Sequence, residues 1–215
     1  MSMKTKKKLI SILLTVSMML TLFPFAAFAA NGDVASVKYG TTTTKFTDLQ
    51  AAIDEAEKHS GATVTLLQNV TLDGNGKTNT QGLLTIDSGK FIIDGAGKTI
   101  SAKNVTVEGN KGPSMINVEN GATVALSNVI IDGGTNGEFA QGTKHGLNVY
   151  GANVNIGNNV TIKNNRWYAV VANGSAVNID GLTTAGNQWG INLDTPAGDT
   201  KVNIKAATVG EEASV

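Results

Sequence analysis

The sequence contains no cysteine, only three prolines and two histidines, and no net formal charge, with 17 residues of each sign. The missing thiols exclude disulfide scaffolds, zinc ribbons and cysteine nucleophiles. The balanced charge offers no basic surface for nucleic acid, so we expect no nucleic-acid partner. Turn-forming residues are abundant instead, with 25 glycines and 22 asparagines. Because 41% of the residues are hydrophobic, this composition indicates a folded, turn-rich protein rather than a disordered one.

Residues 1–29 have the pattern of a secretory signal peptide. Four lysines between positions 4 and 8 precede an apolar stretch at 9–23, and Ala27-Phe28-Ala29 provides small residues for a cleavage site. The apolar stretch is short for a membrane span of about 20 residues. Cleavage would leave 13 basic and 17 acidic residues, a net charge of −4. We therefore expect a secreted, extracellular protein of a Gram-positive-type bacterium, without a membrane span in the mature chain.

The next segments differ in character. Residues 30–45 are polar, and we expect a flexible N-terminal segment there. Residues 46–58 predict one amphipathic helix that begins with a Thr47 and Gln50 capping box and carries Leu49, Ile53 and Ala56 on one face. From residue 62 onward, short alternating runs are separated by Gly, Asn and Asp, which indicates strands and turns.

The strand-like runs repeat. Residues 143–146, 165–168 and 187–190 are spaced by 22 residues, a period typical of a solenoid. Each repeat contains three short strands, and in triplets such as Val154-Asn155-Ile156 the outer side chains point to one face and the middle one to the other. Stacked repeats would build an aliphatic interior, which predicts a parallel β-helix. Asn128 and Asn159 precede the third strand of their repeats, where we expect left-handed turns with stacked amides.

Four segments of the chain resemble a known family. They are Phe-Thr-Asp-Leu-Gln-Ala-Ala-Ile-Asp-Glu-Ala at 46–56, Ala-Thr-Val-Thr-Leu-Leu-Gln-Asn-Val-Thr-Leu at 62–72, Ile-Asp-Gly-Ala-Gly-Lys-Thr-Ile at 93–100 and Asn-Gly-Ala-Thr-Val-Ala-Leu-Ser-Asn-Val at 120–129. Over most of residues 39–209 the chain is similar to the pectate-lyase-like adhesive domains of Gram-positive surface proteins. The resemblance implies an all-β, right-handed parallel β-helix of the pectin-lyase superfamily, whose first rung is covered by a helix.

This fold would occupy residues 46–215, with the capping helix at 46–58 and the rungs at 62–215. No terminal cap follows the last rung, so we expect the domain to be truncated at its C-terminus and to belong to a longer polypeptide.

In the superfamily the substrate groove follows the first strand of each rung and the turn before it. The resemblance places Lys144-His145, Arg166-Trp167 and Gln188-Trp189 on the groove wall. Its floor would carry two columns of outward residues, Thr85, Asn117, Asn148, Val170 and Asn192 in one and Asp87, Glu119, Tyr150, Ala172 and Asp194 in the other.

The aromatic residues of this groove favour sugar binding. Both tryptophans, Trp167 and Trp189, share one repeat position with His145, beside a row of donors. Aromatic faces next to donors are suited to the CH groups and hydroxyls of a glycan. The expected ligand-binding residues are His145, Trp167, Trp189, Lys144, Arg166, Gln188, Tyr150 and Asn192. The expected partner is a polysaccharide or a host or cell-surface glycan, and the alternative is an aromatic ladder that only seals the turn against the core.

A catalytic interpretation of the same groove would make the protein a polysaccharide lyase or a glycoside hydrolase acting on an acidic polysaccharide. A lyase requires clustered carboxylates for calcium and a basic residue, whereas a hydrolase requires two neighbouring acids. The candidates are Asp87, Glu119, Asp194, Lys144 and Arg166. Since only Asp87 and Glu119 adjoin on the floor, the sequence favours an adhesive or glycan-binding module without catalysis, metal site or cofactor, calcium being required only for a lyase. A structural spacer of a longer surface protein is the third function considered.

Overall fold

The computed structural model describes residues 32–78, 80–106, 111–134 and 142–210. All of them belong to the unit Asn31–Val215, and the expected signal peptide at 1–29 lies outside the described residues. Within these ranges the chain forms seventeen strands and one helix, and most strands pair in parallel. The expectation of an all-β protein with parallel sheets is therefore confirmed.

The elements follow one another with short connections. In chain order they are β1 Ala35–Tyr39, β2 Thr42–Phe46, α1 Leu49–Glu57, β3 Ala62–Leu66, β4 Val70–Asp73, β5 Gly82–Ile86, β6 Lys90–Lys103, β7 Ser114–Glu119, β8 Thr123–Asp132, β9 Leu147–Tyr150, β10 Asn153–Ile156, β11 Val160–Lys163, β12 Tyr168–Asn173, β13 Ala176–Ile179, β14 Leu182–Ala185, β15 Trp189–Asp194, β16 Lys201–Ile204 and β17 Ala207–Val209.

From β3 onward the strands fall into three sets, and within each set the strands pair with one another. The first strands form a five-stranded parallel sheet in the order β15-β12-β9-β7-β5. The second strands form the path β16-β13-β10-β8-β6-β3, also in parallel. The third strands are β4, the end of β6, the end of β8, β11, β14 and β17. Each strand thus lies beside the equivalent strand of the next repeat.

Most of the core consists of the inward residues of these sets, to which β1 and α1 add buried side chains. In the second strands, Val154 and Ile156 are buried while Asn155 between them is exposed, as the alternation predicts. The neighbouring triplet Val177-Asn178-Ile179 repeats the pattern in register, so that valine lies on valine and isoleucine on isoleucine. Aliphatic side chains therefore stack from strand to strand, while the amides between them face outward.

Asparagines form the bends between second and third strands. Asn128 and Asn159 have positive φ angles of 50° and 58°, which confirms the expected left-handed geometry. Asn159 Nδ2 donates to Asn128 Oδ1 at 3.1 Å, and Asn128 Nδ2 donates to Asp94 Oδ1 at 3.1 Å. Because asparagine tolerates this conformation better than most residues, the bend is stable and its amides link successive repeats.

The N-terminal segment is a correction to the expectation. Residues 30–45 were expected to be flexible, but they contain β1 and most of β2, which form an antiparallel hairpin with Gly40 in its tight turn. β1 also pairs antiparallel with β3, and Ala35 and Val37 are fully buried. The strand signal was weak because only these two side chains point inward, whereas β2 is polar and half exposed.

The helix is shorter than expected and has a different cap. It spans Leu49–Glu57, and its N-cap is Asp48, whose carboxylate accepts from the Ala51 amide at 2.8 Å. The capping box assigned to Thr47 is therefore wrong. The Gln50 side chain instead donates to the Thr85 carbonyl at 2.8 Å and accepts from the Thr85 amide at 2.9 Å. Since β5 is the edge of its sheet, this amide takes the place of a neighbouring strand and fastens α1 over the edge.

The opposite end of the described chain is more open. Leu193, Ile204 and Val209 are 55%, 52% and 63% exposed, although they occupy the inward positions of β15, β16 and β17. No described strand pairs with the far side of these three strands.

Candidate functional site

The candidate site lies along the first strands, and the register of their sheet differs from the expected one. Asn148 pairs with Val171, and Tyr150 pairs with Asn173. The fixed 22-residue period had placed Val170 and Ala172 in these columns, but both are fully buried. The actual separations are 23 residues from Asn148 to Val171 and 21 from there to Asn192. Turns of unequal length therefore shift the register while the average period is kept.

A buried polar ladder supports the turn that precedes these strands. Thr143, Asn165 and Asn187 are fully buried and occupy equivalent positions in three repeats. Thr143 Oγ1 donates to Asn165 Oδ1 at 2.7 Å, and Asn165 Nδ2 donates to Asn187 Oδ1 at 2.7 Å. Asn187 Nδ2 in turn donates to the Ile162 carbonyl at 3.0 Å. Because buried polar groups are costly without partners, this ladder holds the three turns in a common conformation.

The residues that follow the ladder form an aromatic cluster of four rings, His145, Trp167, Tyr168 and Trp189. The centroids of Trp167 and Trp189 are 5.9 Å apart with their planes at 79°, and those of Tyr168 and Trp189 are 5.0 Å apart at 32°. His145 lies 6.1 Å from Trp167 and 5.7 Å from Tyr168. These are favourable edge-to-face and tilted geometries, so each ring restrains its neighbours.

The four rings are not equally accessible. His145 is only 8% exposed, Trp167 and Tyr168 are half-buried, and Trp189 is 45% exposed. The Lys144 ammonium lies 5.2 Å from the centroid of the Trp167 ring, on one of its faces. Exposure therefore increases across the cluster, from the buried His145 ring to the open Trp189 ring. Trp189 is the ring that a ligand can reach.

Burial determines the protonation of His145 and its neighbour Lys144. It lowers the pKa of the His145 imidazole to about 3, and the charge of Lys144 adds to the effect. Burial also lowers the pKa of the Lys144 ammonium. The Nδ1 atom of His145 is buried and has no hydrogen-bond partner. A neutral, enclosed imidazole of this kind supports the rings above it and is not placed to contact a ligand.

The other expected binding residues lie at different distances from the cluster. Arg166 and Gln188 are half-buried in the same turns, and the Arg166 amide donates to the Thr143 carbonyl at 2.8 Å. Tyr150 is 51% exposed, but its column on the floor pairs with Glu119 and Asn173. Among the described residues, no ring contact joins Tyr150 to the cluster. Asn192 belongs to the neighbouring column, opposite Val171.

Tyr168 is the member that sequence reasoning left out of the binding set. It pairs with Trp189 across neighbouring first strands and contacts three rings. Its position directly after Trp167 at the start of a strand was the available signal. The sequence also places Phe139 in the glycine-rich stretch of residues 133–143 just before Lys144 and His145, but residues 135–141 lie outside the described residues.

The candidate catalytic acids are not brought together as a group. Asp87 directly follows β5 and Glu119 ends the neighbouring strand β7, each one residue after the paired residues Ile86 and Val118. Asp194 is three strands away from Glu119, beyond Tyr150 and Asn173. Three strand spacings amount to about 14 Å, whereas the two carboxylates of a glycosidase lie about 5–9.5 Å apart. Within the described residues, no group of three or more His, Asp or Glu side chains could hold a metal ion.

One further carboxyl lies near this pair. Glu57, the last residue of α1, accepts a hydrogen bond from the Asp87 amide at 2.9 Å. Burial raises the pKa of Glu57, and the charge of Asp87 acts in the same direction. The Glu57 carboxylate therefore attaches the end of α1 to the backbone that follows β5.

Comparisons of this chain with protein-family models, curated proteins and solved structures find no match. Separately, none of the helices in the described ranges has the length and apolar character needed to cross a membrane.

Proposed function

We propose that the protein is a secreted or cell-surface adhesive module that binds glycans through the aromatic cluster, built on a right-handed parallel β-helix. The β-helix is supported by the three sets of parallel strands, each of which pairs from one repeat to the next. Secretion is supported by the signal-peptide pattern of residues 1–29. The resemblance of residues 39–209 to pectate-lyase-like adhesive domains of Gram-positive surface proteins agrees with both.

The observation that carries the proposal is the exposure of Trp189. Nearly half of its surface is open although Trp167 and Tyr168 hold it from two directions. Trp189 begins β15, whose far side no described strand covers, so its position at the end of the sheet contributes to this exposure. An exposed but restrained ring loses little conformational entropy when a sugar packs on it, which favours binding.

Polar groups surround this ring on the same turns. Lys144, Arg166 and Gln188 occupy equivalent positions, one residue before His145, Trp167 and Trp189. They provide donors for sugar hydroxyls and positive charge for acidic sugars, while Trp189 provides the apolar surface for CH groups. The combination of one apolar face and nearby donors is what a carbohydrate site requires.

The test uses the tryptophans themselves as reporters. Both tryptophans of the chain lie in the cluster, so intrinsic fluorescence titrated with cell-wall polysaccharides reports directly on this site. We expect Trp189→Ala to weaken binding by about 2 kcal/mol, roughly 30-fold, as for a tryptophan at the centre of an interface. Trp167→Phe keeps a ring under Trp189, and we expect it to bind within about threefold of the wild type.

The matched control is Ile92→Ala. Ile92 is 41% exposed but lies on β6 in the other sheet, so its removal should leave binding unchanged. If Trp189→Ala binds like the wild type but unfolds at a lower urea concentration, the ring has a packing role and the proposal is wrong.

A glycoside hydrolase or polysaccharide lyase is the second candidate, because Asp87 and Glu119 follow the paired residues Ile86 and Val118 of neighbouring strands, whose backbones are spaced by about 5 Å. A retaining glycosidase uses two carboxylates about 5 Å apart. Incubation with uronate polymers, with and without calcium, would detect unsaturated product or new reducing ends. Turnover that disappears in Glu119→Gln would favour this candidate, whereas a protein that neither binds nor cleaves glycans would favour the structural spacer.

A further inference from the structure

A groove separate from the aromatic cluster runs across the third strands. The bends at Asn128 and Asn159 turn the chain sharply before these strands and leave a concave outer surface. One cavity of about 640 Å³ is lined by residues from Asp94 to Thr183, and a second of about 470 Å³ by residues from Asn158 to Thr208. Both are lined by Asn159 and Thr183, so they are consecutive parts of one groove, which we call the bend groove.

The floor of the bend groove is a row of threonines in register. Thr161 pairs with Thr183, and Thr183 pairs with Thr208. The row continues in the other direction with Ile130 and Thr99. Five neighbouring strands at about 4.8 Å spacing make this row roughly 19 Å long. The groove can therefore accommodate an extended chain of several units rather than a single small molecule.

The hydroxyls of this row have no side-chain partners among the described residues. In contrast, the asparagines of the second strands bond to one another, because Asn178 Nδ2 donates to Asn155 Oδ1 at 2.8 Å and Asn203 Nδ2 donates to Asn178 Oδ1 at 2.9 Å. No comparable bond involves the hydroxyls of Thr161 and Thr183. The threonine row thus presents donors and acceptors at a regular interval, on strands whose backbone is already held by parallel pairing.

The charges of the groove indicate the kind of chain that fits. Asp94 and Asp180 line it, and the Lys205 ammonium pairs with Asp180 at 2.7 Å, so Asp94 supplies the unpaired negative charge; no lysine, arginine or histidine is among the described residues that line either cavity. Carboxylates accept hydrogen bonds from hydroxyls but repel an anionic polymer. Ile130 adds an apolar contact in the same row. This surface differs from the aromatic cluster, which carries Lys144 and Arg166.

We propose that the bend groove binds an uncharged linear polysaccharide, whose hydroxyls bond to the threonine row and whose chain runs across the third strands. This site does not depend on the aromatic cluster, and the two sites would select glycans of different charge. A polymer with a regular repeat can make the same contact with several threonines, which compensates for the weakness of each hydrogen bond to an exposed hydroxyl.

The experiment is affinity electrophoresis of the protein carrying Trp189→Ala, so that binding at the aromatic cluster does not contribute. The probes are mixed-linkage β-glucan, glucomannan and xyloglucan as uncharged chains, and polygalacturonate as the charged one. We expect at least one uncharged chain to retard the protein. We expect Thr161→Val together with Thr183→Val to weaken this retardation at least about tenfold, because valine keeps the strand preference and removes the hydroxyls.

The matched control is Thr42→Val together with Thr44→Val, which removes two exposed threonine hydroxyls from β2. This control should migrate like its parent, and circular dichroism should show the same fold for both double variants. The proposal is wrong if no uncharged polysaccharide retards the parent, or if the Thr161 and Thr183 double variant is retarded as strongly as the parent. It is also wrong if the Thr161 and Thr183 double variant loses binding to polygalacturonate and keeps binding to the uncharged chains.

Discussion

Replacement of Asn165 by alanine tests the importance of the buried polar ladder. Asn165 is fully buried and its amide group makes three hydrogen bonds, with Thr143 at 2.7 Å, with Asn187 at 2.7 Å and with the Lys163 carbonyl at 3.0 Å. In Asn165→Ala the Thr143 hydroxyl loses its acceptor. Asn187 Oδ1 still accepts a hydrogen bond from the backbone N–H of residue 165, and the Lys163 carbonyl still accepts one from the backbone N–H of Gly133.

The magnitude follows from these losses. An unsatisfied buried polar group costs about 1–3 kcal/mol, and each further lost hydrogen bond costs about 0.5–1.5 kcal/mol. We therefore expect Asn165→Ala to lower the free energy of unfolding by about 3–4 kcal/mol. The urea midpoint, followed by tryptophan fluorescence and circular dichroism, should fall by roughly 1–2 M.

A second asparagine ladder provides the control. Asn178 also bonds to an asparagine on each side, at 2.8 Å and 2.9 Å, but it is exposed. Water can replace these partners, so we expect Asn178→Ala to cost about 0.5 kcal/mol or less. Equal costs for the two variants would refute the argument, because they would show that burial of the Thr143–Asn165–Asn187 ladder contributes nothing.

Two further predictions concern the helix contact and pH. Gly89→Ala would place a methyl group 2.7 Å from the Glu57 carbonyl oxygen, at a φ of +76°. The control is Gly97→Ala, where φ is +75° and nothing lies within 4 Å of the added carbon. We expect the urea midpoint to fall more for Gly89→Ala than for Gly97→Ala, and equal midpoints would contradict the clash. The lowered pKa of His145 means that below pH ~6.5 the unfolded chain binds a proton that the folded chain does not. The free energy of unfolding should therefore fall by about 1.4 kcal/mol per pH unit between pH ~6.5 and pH ~3. His145→Phe should remove this slope in urea unfolding measured across that range. An unchanged slope would show that another group titrates.

The alternation of residue types was sufficient to predict the faces of most strands. Val154 and Ile156 are buried and Asn155 is exposed, as expected, because successive side chains of a strand point in opposite directions whatever the strand pairs with. The bends at Asn128 and Asn159 were also predictable, since few other residues adopt a positive φ at low cost.

The register of the first strands was not predictable from a fixed period. The true partner of Asn148 is Val171, one residue later than expected. Backbone hydrogen bonds between strands set this register, and the turn before each strand changes its length without a clear mark in the sequence. A shift of one residue exchanges the two faces, so Val170 and Ala172 belong to the core instead of the groove floor.

The N-terminal hairpin shows a similar limit. Ala35 and Val37 are the only fully buried residues of β1 and β2, so little hydrophobic pattern was available to reveal these strands. Their conformation is held by pairing with β3, a contact between segments that are distant in sequence.

The aromatic cluster combines both kinds of information. The repeat alone brought Trp167 and Trp189 to neighbouring turns, although strand pairing places Tyr168, and not Trp167, opposite Trp189. Which ring is open was decided by the packing: Lys144 covers one face of Trp167, His145 lies beneath, and Trp189 is left 45% exposed. By itself the sequence determined the strands of the repeats, the bends and the kinds of residue that meet. The tertiary structure alone decided register and exposure, since both depend on backbone pairing and on neighbours contributed by other repeats.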